Sequence, residues 1–238
     1  MPKLHIVGVG PGSKDLVVPR AESAIRNAEI IVGWNLDVEP VRHLCNSKTV
    51  YLQDVRNYRV LARQAAEDGR KTNRDVAVLR VGDPCMSSGL KGLLDIFEGF
   101  VVEVVPGISS IQLAAAIYKI ELDNSVAISF HDYGSGESEK QFMLESYRAG
   151  KHIFLLVGPE FTPDKSSEFL IANGINPKTR AVVFSNLTRE DQKIYDSNLE
   201  EVSKSTFDWL SVFLVLNPSA KSAKQEYEQW IRNREPRN

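Results

Sequence analysis

The stretch Leu4-His5-Ile6-Val7-Gly8-Val9-Gly10-Pro11-Gly12 is the part of the sequence that decides the fold. Its apolar, β-branched first half predicts a buried strand, and its glycines predict a tight turn where that strand ends. Pro19 suits the first turn of a helix, which we predict from there to Ala28. A strand, a glycine turn and a helix in this order are typical of α/β proteins, whose open sheets bind ligands at such turns.

The same alternation of short apolar runs and amphipathic stretches continues along the chain. In the first half it predicts strands at 4–9, 30–32, 49–52, 75–81 and 101–105, and helices at 19–28, 59–71, 87–97 and 109–118. After the polar segment 121–125 it predicts strands at 126–130, 152–157, 181–184, 192–195 and 212–216, and helices at 139–149, 166–172, 199–204 and 220–234. We therefore expect an α/β protein of two domains, 1–121 and 122–238, with a ligand cleft between them.

The composition of the chain excludes several classes of protein. The 238 residues include 29 Lys+Arg and 31 Asp+Glu, so the net charge is −2 and attracts neither nucleic acid nor an anionic membrane. Two cysteines, Cys45 and Cys85, cannot form a multi-disulfide framework, which favours a reducing, cytoplasmic location. We expect neither a signal peptide nor a membrane-spanning helix, which needs roughly 20 apolar residues.

The first candidate site is the turn that contains Gly10, Pro11 and Gly12. Glycine lets a backbone come close to a ligand. A dinucleotide fingerprint requires glycine at the next position, where this chain has Ser13, and Pro11 removes an amide donor. A nicotinamide or flavin site and a tight turn without a ligand are therefore both alternatives here.

Two more turns follow predicted strands in the same half. The first is Val81-Gly82-Asp83-Pro84, where Asp83 is a candidate partner for a ligand hydroxyl and an Asp-Pro turn is the structural alternative. The second runs from 105 to 110, where Ser109 is a candidate helix cap. Because the carboxyl ends of parallel strands meet at one edge of a sheet, we expect all three turns to lie together.

These turns, in this order and at these spacings, resemble the motifs of the tetrapyrrole methylases, which methylate uroporphyrinogen, precorrins and cobalt-precorrins. The likeness rests on 7–16, on Gly82-Asp83-Pro84 and on 105–110, and it covers nearly the whole chain. Segment 106–116 is most similar to the members that methylate cobalt-precorrin-7 at C(5). The resemblance implies a homodimeric C-methyltransferase of cobalamin biosynthesis that acts at C(5) and uses S-adenosylmethionine.

The resemblance also implies which residues bind S-adenosylmethionine. Those implied for S-adenosylmethionine are Pro11, Val81, Gly82, Asp83, Met86, Ser109, Ser110, Val157, Leu187 and Leu216. Ordinary core packing is the alternative for the last three, which are apolar. For the anionic tetrapyrrole we expect Gly10, Gly12, Arg20, Arg56 and Arg59, and a solvated surface position is the alternative for the arginines. Arginine is apt there because a guanidinium group binds a carboxylate in a bidentate fork.

A base that removes the proton from the methylated carbon is the last candidate. His131 and Asp132 follow a predicted strand of the second domain, and a solvent-facing loop histidine is the alternative. The four histidines show no metal-ligand spacing, so we expect no metal site.

Four other functions stay open. Two are methylation of another ring carbon and methylation of a macromolecule, either ribosomal RNA or a diphthamide precursor. The others are a Rossmann-type oxidoreductase and a noncatalytic tetrapyrrole-binding protein. A separate C(15)-methyltransferase and decarboxylase is a possible partner.

Overall fold

A computed structural model describes residues 1–86, 89–131, 136–221 and 223–232. The chain forms two compact units, Met1–Ser110 and Ile111–Asn238. Each unit is built around one five-stranded sheet, and helices alternate with strands along the chain. The predicted α/β class is confirmed.

The first unit contains a fully parallel sheet in the order β3-β2-β4-β1-β5. Its strands are β1 (Lys3–Gly8), β2 (Ile30–Trp34), β3 (Thr49–Gln53), β4 (Val76–Arg80) and β5 (Val101–Val105). Its helices are α1 (Pro19–Asn27), α2 (Asn35–Val38), α3 (Tyr58–Thr72) and α4 (Leu90–Ile96), and α5 (Ser110–Tyr118) begins at its end. Because all five strands run in the same direction, the loops that follow them emerge at one edge.

Alternation along the central strands explains why this sheet is covered on both faces. Val7 of β1 packs with Ala21 and Ile25 of α1, whereas Ile6 packs on the other face with Ala65 of α3 and Phe97. Successive side chains of a strand point to opposite faces, so apolar residues at consecutive positions require cover on both sides. The near-continuous apolar run of β1 is therefore typical of the buried centre of a parallel sheet.

The second unit contains a mixed sheet in the order β6-β7-β10-β8-β9. Its strands are β6 (Ser125–Ser129), β7 (His152–Leu156), β8 (Arg180–Ser185), β9 (Lys193–Asn198) and β10 (Ser211–Val215). Its further helices are α6 (Glu137–Arg148), α7 (Pro163–Ala172), α8 (Leu199–Ser203) and α9 (Ala223–Arg232). β6 and β7 are parallel, whereas β10 is antiparallel to both of its neighbours and β9 is antiparallel to β8.

The predicted elements occur in the structure with ends that differ by a few residues, and the antiparallel strand predicted near 192–195 is confirmed as β9. The sequence interpretation missed the short helix α2 and the 3-10 turn Glu39–Leu44 that follows it. The division between the compact units falls after Ser110, the first residue of α5, about ten residues ahead of the predicted boundary after residue 121. The reason is that Ile111 and Ala114 of α5 pack in the core of the second unit with Phe154. The domains as independent folding units stay a prediction.

Among the helices of the described residues, we find none with the length and apolar character needed to cross a membrane.

Candidate active site

Three glycines bring the loops of the first unit together at the carboxyl edge of its sheet. A Cβ atom added to Gly8 would lie 2.6 Å from the amide nitrogen of Gly107 and 2.6 Å from the carbonyl oxygen of Gly82. A Cβ atom added to Gly107 would lie 2.3 Å from that same oxygen. Carbon and oxygen atoms in proteins do not approach so closely, so only glycine fits at these two positions. We call Gly8, Gly82 and Gly107 the glycine junction.

Hydrogen bonds hold the same loops in register. The amide of Val9 donates to the carbonyl of Arg80 at 2.9 Å, and the amide of Gly82 donates to the carbonyl of Gly10 at 2.8 Å. Gly10 and Gly82 both have positive φ, +75° and +71°, which favours glycine. The expectation that the three turns lie together is confirmed.

Asp83 holds two backbone segments. Its Oδ2 accepts a hydrogen bond from the amide of Gly107 at 3.0 Å, and its Oδ1 accepts one from the amide of Cys85 at 2.7 Å. The carboxylate therefore links the loop after β4 to the loop after β5. These two hydrogen bonds give Asp83 a role in shaping the loops, whereas its direct contact with a ligand hydroxyl stays a prediction.

The other candidates of the first unit lie around the glycine junction or beside it. Pro11 is buried and Gly12 is half-buried in the turn after β1. Ser109 is buried, and its Cα lies 3.6 Å from the position that a Cβ of Gly82 would take. Val81 and Ser110 are half-buried and Met86 is exposed. The neighbouring positions 87 and 88 lie outside the described residues.

A buried acid that the sequence interpretation missed lies beneath the loop after β4. Asp37 of α2 is 4% exposed, and its Oδ1 and Oδ2 accept hydrogen bonds from the amides of Val81 and Trp34, both at 2.8 Å. The guanidinium of Arg80 lies 3.7 Å from the Asp37 carboxylate. Burial raises the pKa of Asp37, while Arg80 and the two amides oppose that rise. A carboxylate three residues after the end of a strand, at the start of a short helix, is the signal that would have found it.

The predicted tetrapyrrole-binding arginines have different surroundings. Arg20 of α1 pairs with Glu103 of β5, whose other oxygen lies 3.0 Å from Nδ1 of the buried His5. The Arg20 pairing lowers the pKa of Glu103. Arg20 thus has a partner within the protein, and its predicted substrate contact would compete with that ion pair.

Arg56 and Arg59 are exposed beside the carboxyl edge, just after β3. The Nε of Arg59 donates to the hydroxyl of Tyr58 at 3.0 Å, and the ring of Tyr58 lies 6.4 Å from that of Trp34. Trp34 ends β2, so the two rings belong to neighbouring strand ends. We call Trp34, Tyr58 and Arg59 the aromatic–arginine cluster.

In the second unit, the predicted donor-binding residues divide between the two edges of the sheet. Val157 and Leu187 follow β7 and β8, which run in the same direction because both are antiparallel to β10 between them. Leu216 follows β10 and lies at the opposite edge, where its amide donates to the carbonyl of Arg180 at 3.0 Å. The structure therefore does not bring Leu216 to the other two, and its role in donor binding stays a prediction. Leu210, which precedes β10, lies at the edge of Leu187 instead, where its carbonyl accepts from the amide of Asn186 at 3.0 Å.

The turn that carries Leu187 has an unusual backbone. Asn186 and Thr188 have φ values of +53° and +66°, a region that a β-branched residue such as threonine rarely adopts. The side chain of Gln192 accepts from the Thr188 amide at 2.7 Å, and Asn186 Nδ2 donates to Asp191 at 2.9 Å. Strain held in this way is typical of functional loops, which supports a site at Leu187.

His131 lies at the same edge as Val157, since β6 and β7 are parallel neighbours. Its side chain is exposed and its amide donates to the hydroxyl of Ser129 at 3.3 Å. Asp132 and the three residues after it lie outside the described residues. The role of His131 and Asp132 as a base stays a prediction.

A parallel sheet whose glycine loops meet at the carboxyl edge is typical of the class of α/β proteins that bind a ligand at that edge. The family of Tetrapyrrole (Corrin/Porphyrin) Methylases matches residues 3–203, and the chain belongs to this family. Methylases of this family use S-adenosylmethionine, so the chain is an S-adenosylmethionine-dependent methyltransferase.

Particular relatives agree with this assignment. A probable cobalt-precorrin-7 C(5)-methyltransferase of Methanocaldococcus jannaschii is 34% identical over 210 residues, which are 88% of this chain and 95% of that protein. The crystal structure of the methyltransferase CobJ has a TM-score of 0.77 at 23% identity, covering 92% of this chain and 95% of that one. The uroporphyrin-III C-methyl transferase of Thermus thermophilus, complexed with S-adenosyl homocysteine, has a TM-score of 0.73 at 19% identity, covering 90% of this chain and 92% of that one. These two structures share the fold.

Proposed function

We propose that the protein transfers a methyl group from S-adenosylmethionine to C(5) of cobalt-precorrin-7, a step of cobalamin biosynthesis. The observation that carries this proposal is the similarity to the Methanocaldococcus jannaschii protein, which extends over 95% of that protein's length. Family membership supports the reaction class, and this one relative supports the ring position.

The residues of the glycine junction fit the methyl donor. Its adenosine and amino-acid parts need backbone partners and apolar walls more than opposing charges. Glycine at Gly8 and Gly107 lets the loops after β1, β4 and β5 pack against one another, which brings the backbone of all three loops to the edge that we assign to the donor. We assign donor binding in the first unit to Gly82, Ser109 and the other predicted residues around them, and in the second unit to Val157 and Leu187. S-adenosylmethionine supplies an electrophilic methyl group on a positively charged sulfur.

The aromatic–arginine cluster fits the tetrapyrrole. Cobalt-precorrins carry many carboxylates around a flat, apolar ring system, and such a ligand pairs with guanidinium groups and stacks on aromatic rings. Arg59 and Tyr58 lie at the same sheet edge as the glycine junction because β1 to β5 are all parallel. We assign Arg56 and Arg59 to the peripheral carboxylates, with Arg20 as a further candidate when its ion pair opens.

The protein's chemical task is to hold an electron-rich ring carbon in line with the methyl group and to exclude water. Well-held reactants can gain up to roughly 7 to 11 kcal/mol from proximity and orientation. His131, at the end of β6, is the residue we assign to accept the proton released from the methylated carbon, with Asp132 as the alternative.

The proposal includes three statements about the protein's setting. It works in the cytoplasm, where the two cysteines stay reduced. It is a homodimer, as the family resemblance implies. A separate C(15)-methyltransferase and decarboxylase completes the modification of the same tetrapyrrole.

Binding and turnover with matched variants test the assignment. We expect calorimetry to show micromolar binding of S-adenosylhomocysteine and no binding of NADH. Arg59→Met should raise the KM for cobalt-precorrin-7 about tenfold and leave the affinity for S-adenosylhomocysteine unchanged, because one charged hydrogen bond to a carboxylate is lost. The control is Arg63→Met, which removes an exposed arginine from the same helix one turn further on. Binding of NADH alone would contradict the proposal and favour an oxidoreductase.

A further inference from the structure

The carboxyl edge of the first sheet contains a buried polar network that the methyl-transfer chemistry itself does not use. Asp37 and Arg80 form its centre, with side chains that are 6% and 11% exposed. Arg80 Nη1 donates to the carbonyl of Leu79 at 2.7 Å and to Gln53 Oε1 at 3.4 Å. Gln53 Nε2 donates to the carbonyl of Tyr58 at 2.6 Å. The network therefore extends from the loop after β3 to the loop after β4.

Asp37 is the member that touches the donor-binding loop directly. Its Oδ1 accepts from the amide of Val81, the residue that precedes Gly82 in the glycine junction. Its Oδ2 accepts from the amide of Trp34, which belongs to the aromatic–arginine cluster. One carboxylate thus ties the loop assigned to the methyl donor to the loop assigned to the tetrapyrrole.

The backbone around Asp37 is shaped to admit this side chain. A Cβ added to Gly33 would lie 3.1 Å from the Cβ of Asp37 and 3.3 Å from its Oδ2. Both distances are tighter than ordinary van der Waals contact, so glycine at this position lets the carboxylate reach both amides. A buried ion pair by itself is weak evidence for stability, because desolvation offsets much of the attraction. We therefore explain the buried Asp37 carboxylate by the two backbone amides, of Val81 and Trp34, that it holds in position.

We propose that Asp37 is a positioning residue for methyl-donor binding: it holds the amide of Val81, and through it the Gly82 loop, in the conformation that accepts S-adenosylmethionine. This inference rests on the proposed function, in which that loop binds the donor. The amides of Val81 and Trp34 orient the Asp37 carboxylate, whereas Arg80 lies 3.7 Å from it and touches neither ligand.

Two variants separate the effect of the hydrogen bonds between Asp37 and the backbone amides from the effect of the ion pair. Arg80→Met removes the guanidinium and should lower the unfolding free energy, because the buried Asp37 carboxyl loses its cation, but it keeps the hydrogen bonds that this carboxyl accepts from the amides of Val81 and Trp34. The double variant Asp37→Ala with Arg80→Met removes the carboxylate too, without leaving a lone buried charge. We expect the single variant to bind S-adenosylhomocysteine within about twofold of the unaltered protein, and the double variant to bind at least about tenfold more weakly, as for loss of a hydrogen bond to a charged group.

The readouts distinguish positioning from a general loss of structure. In calorimetry the stoichiometry measures the fraction of folded protein, whereas the dissociation constant measures how well the Gly82 loop accepts the ligand. The KM for S-adenosylmethionine should rise in the double variant, and by more than the KM for the tetrapyrrole, whose loop Asp37 holds only through the amide of Trp34. Gly33→Ala places a methyl group against Asp37 and keeps both charged residues, so it should also weaken donor binding. This variant tests the proposal if the double variant does not fold.

The outcomes separate this inference from the proposed function. If the unaltered protein binds S-adenosylhomocysteine and the folded double variant binds it equally well, Asp37 has no positioning role. Unaltered donor affinity in Gly33→Ala leads to the same conclusion where the double variant is unfolded. If the unaltered protein fails to bind the ligand, the proposed function is wrong, and this inference falls with it.

Discussion

Gly107→Ala is the substitution that most directly tests whether the glycine junction forms the donor site. The new methyl group would lie 2.3 Å from the carbonyl oxygen of Gly82 and 2.8 Å from the carbonyl carbon of Gly8. Normal contacts between such atoms need roughly 3.2 to 3.5 Å. The loop after β5 must therefore move by about 1 Å, and it takes with it the amide that donates to Asp83.

A shift of this size has two measurable effects. Overpacking of a close backbone contact costs about 1 to 3 kcal/mol of unfolding free energy. A displacement of about 1 Å in a binding site lowers activity by up to about 100-fold. We expect affinity for S-adenosylhomocysteine, measured by calorimetry, to fall by at least about tenfold in Gly107→Ala.

Two control variants separate stability from binding. Gly174→Ala introduces strain at a φ of +87° in the second unit, so it should lower stability by about 1 kcal/mol and leave donor affinity intact. Gly92→Ala makes the same chemical change in α4, where no atom lies within 4 Å of the new Cβ, and should be neutral or stabilising. Donor affinity in Gly107→Ala within twofold of the unaltered protein would refute the reasoning.

Three further predictions concern single side chains. Asp83→Ala should lower both the unfolding free energy, by about 1 to 2 kcal/mol, and donor affinity, because two backbone amides lose their acceptor; unchanged thermal unfolding would contradict this. Leu187→Ala should weaken S-adenosylhomocysteine binding whereas Leu216→Ala should not, and equal effects in calorimetry would show that the edge assignment is wrong. Burial lowers the pKa of His152 from its usual value of 6.5, so native stability should fall as pH drops below about 6.5, where the unfolded chain takes up the proton more readily. His152→Phe should remove that part of the pH dependence in denaturant titrations, and an unchanged slope would exclude His152 as its source.

Much of the fold was predictable because the local signals and the tertiary structure agree. β1 is apolar at consecutive positions, and a strand of that kind has to lie inside a parallel sheet with cover on both faces. Pro19 marks the start of α1 in sequence and structure alike. The parallel direction of the strands is enough to predict that the three turns lie at one edge of the sheet.

The direction of strands in the second unit was harder to predict. Leu216 and Leu187 both follow apolar strands, and nothing local in either run shows that β10 is reversed relative to β8. Strand direction depends on the length and path of the connections. The position of Leu216, at the edge opposite Leu187, therefore became visible only in the structure.

Asp37 was missed for a different reason. Its helix, α2, has four residues, too few to show a helical period in the sequence. The importance of the carboxylate arises from the Val81 amide, which is 44 positions away in the chain. Side chains that satisfy distant backbone groups leave only a weak local signal, whereas glycine turns leave a strong one.

Transfer of a labelled methyl group to cobalt-precorrin-7 is the measurement that tests the central claim most directly. The protein would be incubated with cobalt-precorrin-7 and S-adenosylmethionine that carries a carbon-13 methyl group, and the product examined by NMR. We expect one labelled methyl group, bonded to C(5), with an equal amount of S-adenosylhomocysteine formed. A label at another ring carbon would contradict the assigned position, and no transfer by protein that binds the donor would contradict the assigned substrate.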